Sequence, residues 1–229
     1  MWFFDTGMII FVIPAIIFAM YAQSKVRSAY ERYSRIPSSS RITGAQMARA
    51  ILDRAGLEEV KVVQTQGQLT DHYDPRQKVV RLSPQVYGDN SLAALGIAAH
   101  EVGHAIQHDT DYLPLGIRNS IVPMANLGSR AAFPLFFIGF IFSGGGLEIL
   151  MDIGIAVFLF AVLFQAITLP VEFNASSRAM AILEGGGYLN SQELNGAKQV
   201  LSAAALTYVA ALAVAFAQLF RLLLLRDRR

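Results

Sequence analysis

The chain has 229 residues, of which 54% are hydrophobic and only 16% are charged. Soluble domains usually carry charge on about a quarter of their residues, so a composition gathered into long uncharged runs indicates a membrane protein. The net charge of +2 is too small to indicate nucleic-acid binding, and the lack of cysteine excludes disulfides and thiolate metal ligands.

Four apolar runs are candidates for membrane-spanning helices, each of which needs about 20 residues. Trp2 and Tyr21 flank the first run as interfacial anchors do, and several basic residues follow it. Because these charges follow the run, we interpret it as a retained anchor with its N-terminus outside, not as a cleaved signal peptide. The four runs are Gly7 to Ala22, Ile121 to Phe142, Ile153 to Leu169 and Val200 to Phe220.

Residues 36–110 form the only stretch large enough for a water-exposed unit, and their pattern predicts a small α+β subdomain. Asp74 and Pro75 give a turn signal between two predicted strands. The unit is too small to be a complete protease domain without help from the membrane helices. Its predicted elements are a helix over Gly44 to Ala55 with Thr43 as N-cap, and strands over Val60 to Val63 and Lys78 to Leu82.

The segment His100–His104 reads H-E-x-x-H inside an apolar, helix-forming run from Ser91 to His108. Residues four apart share one face of a helix, so His100 and His104 can bind one metal ion. Glu101 lies beside that ion and can act as the general base on an activated water. The motif therefore predicts zinc-dependent hydrolysis.

A two-histidine site needs a third protein ligand, and the fourth position is then left for water. The second and third apolar runs are joined by a short turn, Ser143 to Gly146, so two crossings return the chain to the side that it left. Glu172 then emerges on the same membrane face as the histidines and is the predicted third ligand. The fourth run leaves the orientation of the C-terminus open, because Arg226 to Arg229 outside the cell would oppose the positive-inside tendency.

Three further residues are weighed for roles in the site. His108 lies about 12 Å along the helix axis from His100, which is too far for one ion, so we interpret it as a helix-end residue. His72 or Arg178 could stabilise an oxyanion, although a turn role is favoured for His72. The strand residues Val79, Val80 and Arg81 are predicted to pair with an extended substrate by β-addition.

The motif, the anchor before it, the hairpin after it and the segments Leu169–Arg178 and Asp71–Pro75 resemble YugP-type zinc membrane neutral metallopeptidases of bacteria. The resemblance covers nearly the whole chain, and a more distant likeness is to HtpX-type membrane proteases. It implies a gluzincin-like site with both motif histidines and Glu172 on zinc and Glu101 as base. Gluzincins often place an aspartate beside a zinc histidine four residues after the ligand glutamate, where this chain has Ser176.

We therefore predict a mainly α integral membrane protein with about four transmembrane helices and a small cytoplasmic α+β zinc-protease-like subdomain that carries the motif helix. It is expected to be a zinc metalloendopeptidase of the bacterial inner membrane, with one Zn²⁺ per chain, its site facing the cytoplasm, and misfolded or membrane-associated polypeptides as substrates. The predicted segments are an anchor (1–24), the cytoplasmic subdomain (25–119), a transmembrane hairpin (120–170), a cytoplasmic segment with the third ligand (171–199) and a C-terminal membrane helix (200–229).

Two alternatives stay open at this point. A site-2-type intramembrane protease would use an aspartate on another span, and Asp152 is the candidate. A membrane scaffold with structural zinc would close the site with a fourth protein ligand, for which His108 or His72 is available.

Overall fold

A computed structural model of the chain describes residues 5–227, so Trp2 and the last two arginines lie outside it. Within these residues a π-helical turn, Met8–Val12, leads into the first of seven α-helices, and three short strands form one sheet. The helices are α1 (Ile13–Tyr33), α2 (Gly44–Arg54), α3 (Pro84–Gly88), α4 (Leu92–Asp109), α5 (Leu113–Ile141), α6 (Ile149–Gly185) and α7 (Ser191–Asp227), and the strands are β1 (Lys61–Gln64), β2 (His72–Asp74) and β3 (Val79–Leu82).

Four helices in the described part of the chain are long and apolar enough to cross a membrane: α1 with its preceding turn, α5, α6 and α7. This confirms the predicted fold class, a mainly α membrane protein. The helices are longer than the apolar runs in the sequence. At about 1.5 Å per residue, a helix of 37 residues spans about 55 Å, against about 30 Å for a hydrocarbon core. Helices α6 and α7, with 37 residues each, therefore extend well beyond a bilayer core.

The chain divides into two compact units. The first comprises the described residues up to Gln23, Gly116–Pro170 and the chain from Leu206 onwards, and Phe136 is fully buried in its apolar core. Within this unit α5 and α6 approach closely at Gly128, where a Cβ atom would lie 2.4 Å from the carbonyl oxygen of Val157. The limits of this unit fall close to the predicted membrane segments, although that segmentation stays a prediction.

The second unit comprises Ser24–Leu115 and Val171–Ala205, and it contains the sheet and the motif helix α4. Strand β3 is central: it pairs in parallel with β1 and antiparallel with β2. The core of the unit buries one face of α2, most of α4 and the end of α6. Its fully buried side chains include Met47, Leu52, Leu95, Val102 and Leu183.

Local capping signals explain why the predicted helices form. The hydroxyl of Thr43 accepts from the backbone N–H of Gln46, and the Gln46 side chain accepts from the Thr43 N–H, which is a complete capping box. Ser91 caps α4 by accepting from the N–H of Ala94. Both helices begin where the sequence predicted.

The sheet differs from the sequence prediction in one respect that bears on function. Residues His72–Asp74 form the edge strand β2, where the sequence indicated a turn. Both edges of β3 are consequently occupied, by β1 and β2. The expectation that Val79, Val80 and Arg81 pair with a substrate is corrected, because β3 has no free edge.

Candidate active site

Helix α4 places the two motif histidines one turn apart on a single face. Their ring centroids lie 4.7 Å apart with the ring planes nearly perpendicular. The side chains of His100 and His104 are only 14% and 12% exposed. The remainder of this helix is packed in the core of the second unit, so both imidazoles are presented by a rigid element.

Helix α6 brings its backbone against α4 at Gly103, the glycine inside the motif. A Cβ atom at this position would lie 2.7 Å from the carbonyl oxygen of Ala175, closer than real Cβ contacts. Ala175 and Ala179, which lie on the same face of α6, are fully buried. These small residues let the two helices approach closely, and one turn before Ala175 the same face of α6 carries Glu172.

Glu172 meets both motif histidines. Its Oε2 atom lies 3.3 Å from Nε2 of His100 and 3.7 Å from Nε2 of His104. One donor atom from each of the three residues lies within 4.8 Å of the others, and the Glu172 carboxylate is almost completely buried. The structure thus brings together the three residues that the sequence predicted as metal ligands.

The spacing of these atoms fits a zinc ion. With bond lengths of about 2.0–2.1 Å and tetrahedral angles, two ligand atoms lie about 3.3–3.4 Å apart. Two imidazoles and one carboxylate are also a ligand set found at catalytic zinc sites, which keep a fourth position open. The distances of 3.3 and 3.7 Å from Glu172 Oε2 to the two histidine nitrogens lie close to this value, so the donor set of His100, His104 and Glu172 can hold zinc.

Gln107, which the sequence analysis did not single out, holds His104. Its Oε1 atom lies 2.9 Å from Nδ1 of His104, and its amide nitrogen donates to the carbonyl oxygen of Val171 at 2.8 Å and to Oδ1 of Asn174 at 3.0 Å. Arg178 donates through Nε to the same Asn174 oxygen, at 2.8 Å. Because Gln107 uses its amide nitrogen on two acceptors, it presents its carbonyl oxygen to His104.

This orientation places a proton on one ring nitrogen of His104. A carbonyl oxygen can only accept, so Nδ1 of His104 carries the proton that bonds Gln107. In the neutral imidazole Nε2 then has the lone pair, and this is the ring nitrogen that lies near Glu172. The hydrogen-bond network of Gln107 thus leaves Nε2 as the nitrogen of His104 that a metal ion could bind.

Ser176 contacts the other motif histidine, with its hydroxyl oxygen 3.1 Å from Nδ1 of His100. It occupies the place that the family resemblance assigned to it. A serine hydroxyl supplies no negative charge, and neither does the Gln107 amide, so both histidines are oriented by neutral partners.

Glu101 is buried beside the metal-binding group, with 8% of its surface exposed. Burial raises the pKa of its carboxyl group above the ordinary value, and the nearby histidines oppose that rise. A carboxylate with a raised pKa is a stronger base, which suits a group that must accept and return a proton near neutral pH.

The remaining histidines are engaged elsewhere. His108 Nδ1 shares a 2.9 Å hydrogen bond with the hydroxyl of Tyr73, and burial raises the pKa of Tyr73 to about 12, so this phenol stays protonated. His72 is exposed, and its Nδ1 lies 2.8 Å from the carbonyl oxygen of Thr70. Side chains alternate along a strand, so His72 points to the face of β2 opposite that of Tyr73.

Two other residues of the sequence analysis are also accounted for. Arg178, a candidate oxyanion donor, contacts Asn174 and so supports His104 through Gln107. Asp152, the candidate ligand of a site-2-type protease, belongs to the first unit, where both its carboxylate oxygens accept from Arg226 at 2.9 and 3.1 Å. It is not part of the metal-binding group.

Comparisons with known proteins identify the family of the chain. A family model described as "Putative neutral zinc metallopeptidase" matches residues 8–227. The "Putative membrane protease YugP" of Bacillus subtilis (strain 168) is 48% identical over 217 residues, which cover 95% of each chain. No solved structure matches the chain. The resemblance found in the sequence is confirmed, and the chain belongs to the neutral zinc metallopeptidase family whose model spans it.

Proposed function

We propose that the protein is a membrane-embedded zinc endopeptidase with Glu101 as its general base. The observation that carries this proposal is the convergence of His100, His104 and Glu172 on one point, with a buried glutamate next to them in the chain. A metal-binding group beside a carboxylate of raised pKa is the arrangement that peptide-bond hydrolysis by activated water requires.

Each role in this reaction is assigned to particular residues. His100, His104 and Glu172 would hold one zinc ion, which when bound supplies Lewis-acid activation of a water molecule and of the substrate carbonyl. Glu101 accepts a proton from the attacking water and passes it to the leaving amine. Gln107 and Ser176 keep both imidazoles turned with Nε2 towards the reaction centre.

An open ligand position favours catalysis over a structural role for zinc. Structural zinc sites have four protein ligands, whereas catalytic sites have three and a position for water. Among the described residues the metal-binding group has three members. Both candidates for a fourth ligand have other partners. Nδ1 of His108 shares a hydrogen bond with the Tyr73 hydroxyl, and Nδ1 of His72 with the Thr70 carbonyl oxygen.

Strand β2 is the part of the sheet that suits an extended substrate. It pairs with β3 on one side, and within the described residues no strand covers its other side. The hydroxyl of Tyr73, at the centre of β2, reaches His108 one turn beyond His104 on α4. A polypeptide that added to this edge would therefore run alongside the motif helix.

The proposed setting is the inner membrane of a bacterium, with the site on the cytoplasmic side. Several basic residues follow the first span, and two further spans separate the motif from Glu172, which supports a common cytoplasmic location for the site residues. The segments 25–119 and 171–199 would form the cytoplasmic part. Misfolded or membrane-associated polypeptides are the proposed substrates, because the site is tethered to the bilayer.

Replacement of the general base tests the proposal. In Glu101→Gln the side chain keeps its shape but cannot take up a proton, so we expect peptidase activity to fall by about 10²–10⁴-fold. Zinc content, measured on the same purified protein, should be unchanged. Glu184→Gln, at an exposed position of α6, is the matched control and should keep full activity. Undiminished activity in Glu101→Gln would exclude the proposed mechanism.

A further inference from the structure

A polar groove of about 600 Å³ lies within the second unit, between the C-terminal part of α1 and the N-terminal part of α7. Three of its lining residues are cationic: Lys25 and Arg32 on α1 and Lys198 on α7. None of the lining residues is acidic. The lining residues of the groove therefore carry a formal charge of +3.

The groove is built from one face of each helix. Lys25 and Arg32 are seven residues apart, which places them two turns apart on the same side of α1. On α7 the spacing of Asn195, Lys198 and Ser202 repeats this pattern. All of these side chains can donate hydrogen bonds, so a ligand rich in acceptor oxygens is the one that fits.

Arg32 is oriented within this wall. Its guanidinium carbon lies 5.3 Å from the ring centroid of Tyr33, and the Tyr33 side chain is buried at the base of the groove. A guanidinium held against an aromatic ring loses little further freedom when it binds an anion, which favours a bidentate contact to a phosphate.

Both helices enter membrane-spanning sequence directly beside the groove. On α1 the apolar run ends at Ala22, three residues before Lys25, and on α7 it begins at Val200, two residues after Lys198. The polar interfacial layer on each side of a bilayer core is about 5–8 Å thick, which corresponds to about three to five helical residues. Lys25 and Lys198 are thus placed at the level of lipid headgroups, whereas Arg32, ten residues or about 15 Å beyond Ala22 along α1, lies further from the bilayer core.

We propose that this groove binds the headgroup of an anionic phospholipid. The phosphate would lie between the cations of α1 and α7, and the amides and hydroxyls of the walls would contact the glycerol portion. A volume of about 600 Å³ is far larger than a bare phosphate needs, and an open groove at this level leaves the acyl chains in the bilayer. The lipid would tie the two helix ends together in the unit that carries the metal site.

The test measures lipid retention by the full-length protein. The protein is purified from bilayer discs that contain equal amounts of phosphatidylglycerol and phosphatidylcholine, and bound lipids are counted by native mass spectrometry. We expect wild type to retain phosphatidylglycerol preferentially and the triple variant Lys25→Gln, Arg32→Gln, Lys198→Gln to lose about fivefold in preference for each removed cation. The control variant Arg27→Gln, Lys61→Gln, Arg76→Gln removes three exposed cations outside the groove and should retain the preference.

Two further experiments distinguish a lipid bound in the groove from attraction by diffuse surface charge and from binding of a free anion. Ser202→Trp fills the groove without a change of charge, and it should abolish retention as the triple variant does. Equal losses in the groove and control variants, or full retention in Ser202→Trp, would overturn the proposal in favour of diffuse surface charge. Saturation by inorganic phosphate in neutral detergent without any lipid preference would overturn it in favour of a free anion. Thermal melting and zinc content show whether each variant is folded. If the triple variant does not fold, lipid retention by Ser202→Trp decides whether the groove binds the lipid.

Discussion

At the scale of single residues, the two motif histidines are oriented by partners that differ in rotational freedom. Gln107 is completely buried, and three hydrogen bonds leave its amide only one orientation. Ser176 has a hydroxyl that can rotate and can either donate or accept. The tautomer of His104 is therefore imposed by its surroundings, whereas that of His100 is set together with whatever binds to Nε2.

Gln107→Leu tests this difference. The variant keeps the volume of the side chain but removes the acceptor for His104 Nδ1, and it leaves the Val171 carbonyl without its donor. We expect zinc affinity to fall by about 10–100-fold, as for other residues that orient zinc histidines. The measurement is competition with a chromophoric chelator, with Gln66→Leu, an exposed position, as control. Unchanged affinity in a folded Gln107→Leu protein would contradict the assigned role.

The sequence identified both histidines because their spacing is local, and it missed Gln107 and Asn174 for a physical reason. Gln107 lies three residues after His104 on the same face of α4, so helical spacing alone makes it a candidate. What it contacts depends on the register between α4 and a segment of α6 that lies 64 residues away in the chain. That register is set by packing at Gly103 and Ala175, which no local pattern reveals.

At the scale of elements, the site depends on how closely α6 approaches α4. The elements with strong local signals were predicted well, because Thr43 and Ser91 cap their helices without tertiary help. Strand β2 was not predicted. It has only three residues and ends at Asp74, where the sequence signals a turn, so it forms a strand only by pairing with β3. Helix α6 also continues through Pro170, where the sequence suggested that the third run ends.

Gly103→Ala tests the close approach. The added methyl group would lie 2.7 Å from the backbone oxygen of Ala175, and a backbone atom cannot move aside as a flexible side chain can. We expect α6 to be displaced, Glu172 to be drawn away from the histidines, and stability to fall by about 1–3 kcal/mol. Chelator competition and thermal melting measure the two effects. Gly116→Ala is the control, because in helix α5 no atom lies within 4 Å of the new methyl group, and it should change neither zinc affinity nor stability. Tight zinc binding in Gly103→Ala would show that the close approach of α6 to α4 is not needed.

At the scale of the whole molecule, the proposed metal site requires an even number of membrane crossings between the motif and Glu172. Helices α5 and α6 are each long enough to cross, and they are joined by residues 142–148, which contain the 3-10 turn Ser143–Gly145. Two crossings between the motif and Glu172 would place both on one side of the membrane. The apolar runs predicted these candidate spans, but only the structure shows that one continuous helix, α6, carries both a candidate span and Glu172.

The proposed orientation can be tested directly because the chain has no cysteine. Single cysteines at Glu58, in the exposed loop before β1, and at Gly144, in the turn between α5 and α6, would be the only reactive thiols. If the site faces the cytoplasm, a membrane-impermeant maleimide added to intact cells should label Gly144→Cys and reach Glu58→Cys only after permeabilisation. The reversed pattern would place the site outside, against the basic flank of the first span. Labelling of both cysteines from one side would mean that α5 and α6 do not cross the membrane. Two membrane crossings would then not be the reason that Glu172 lies on the same side as the histidines.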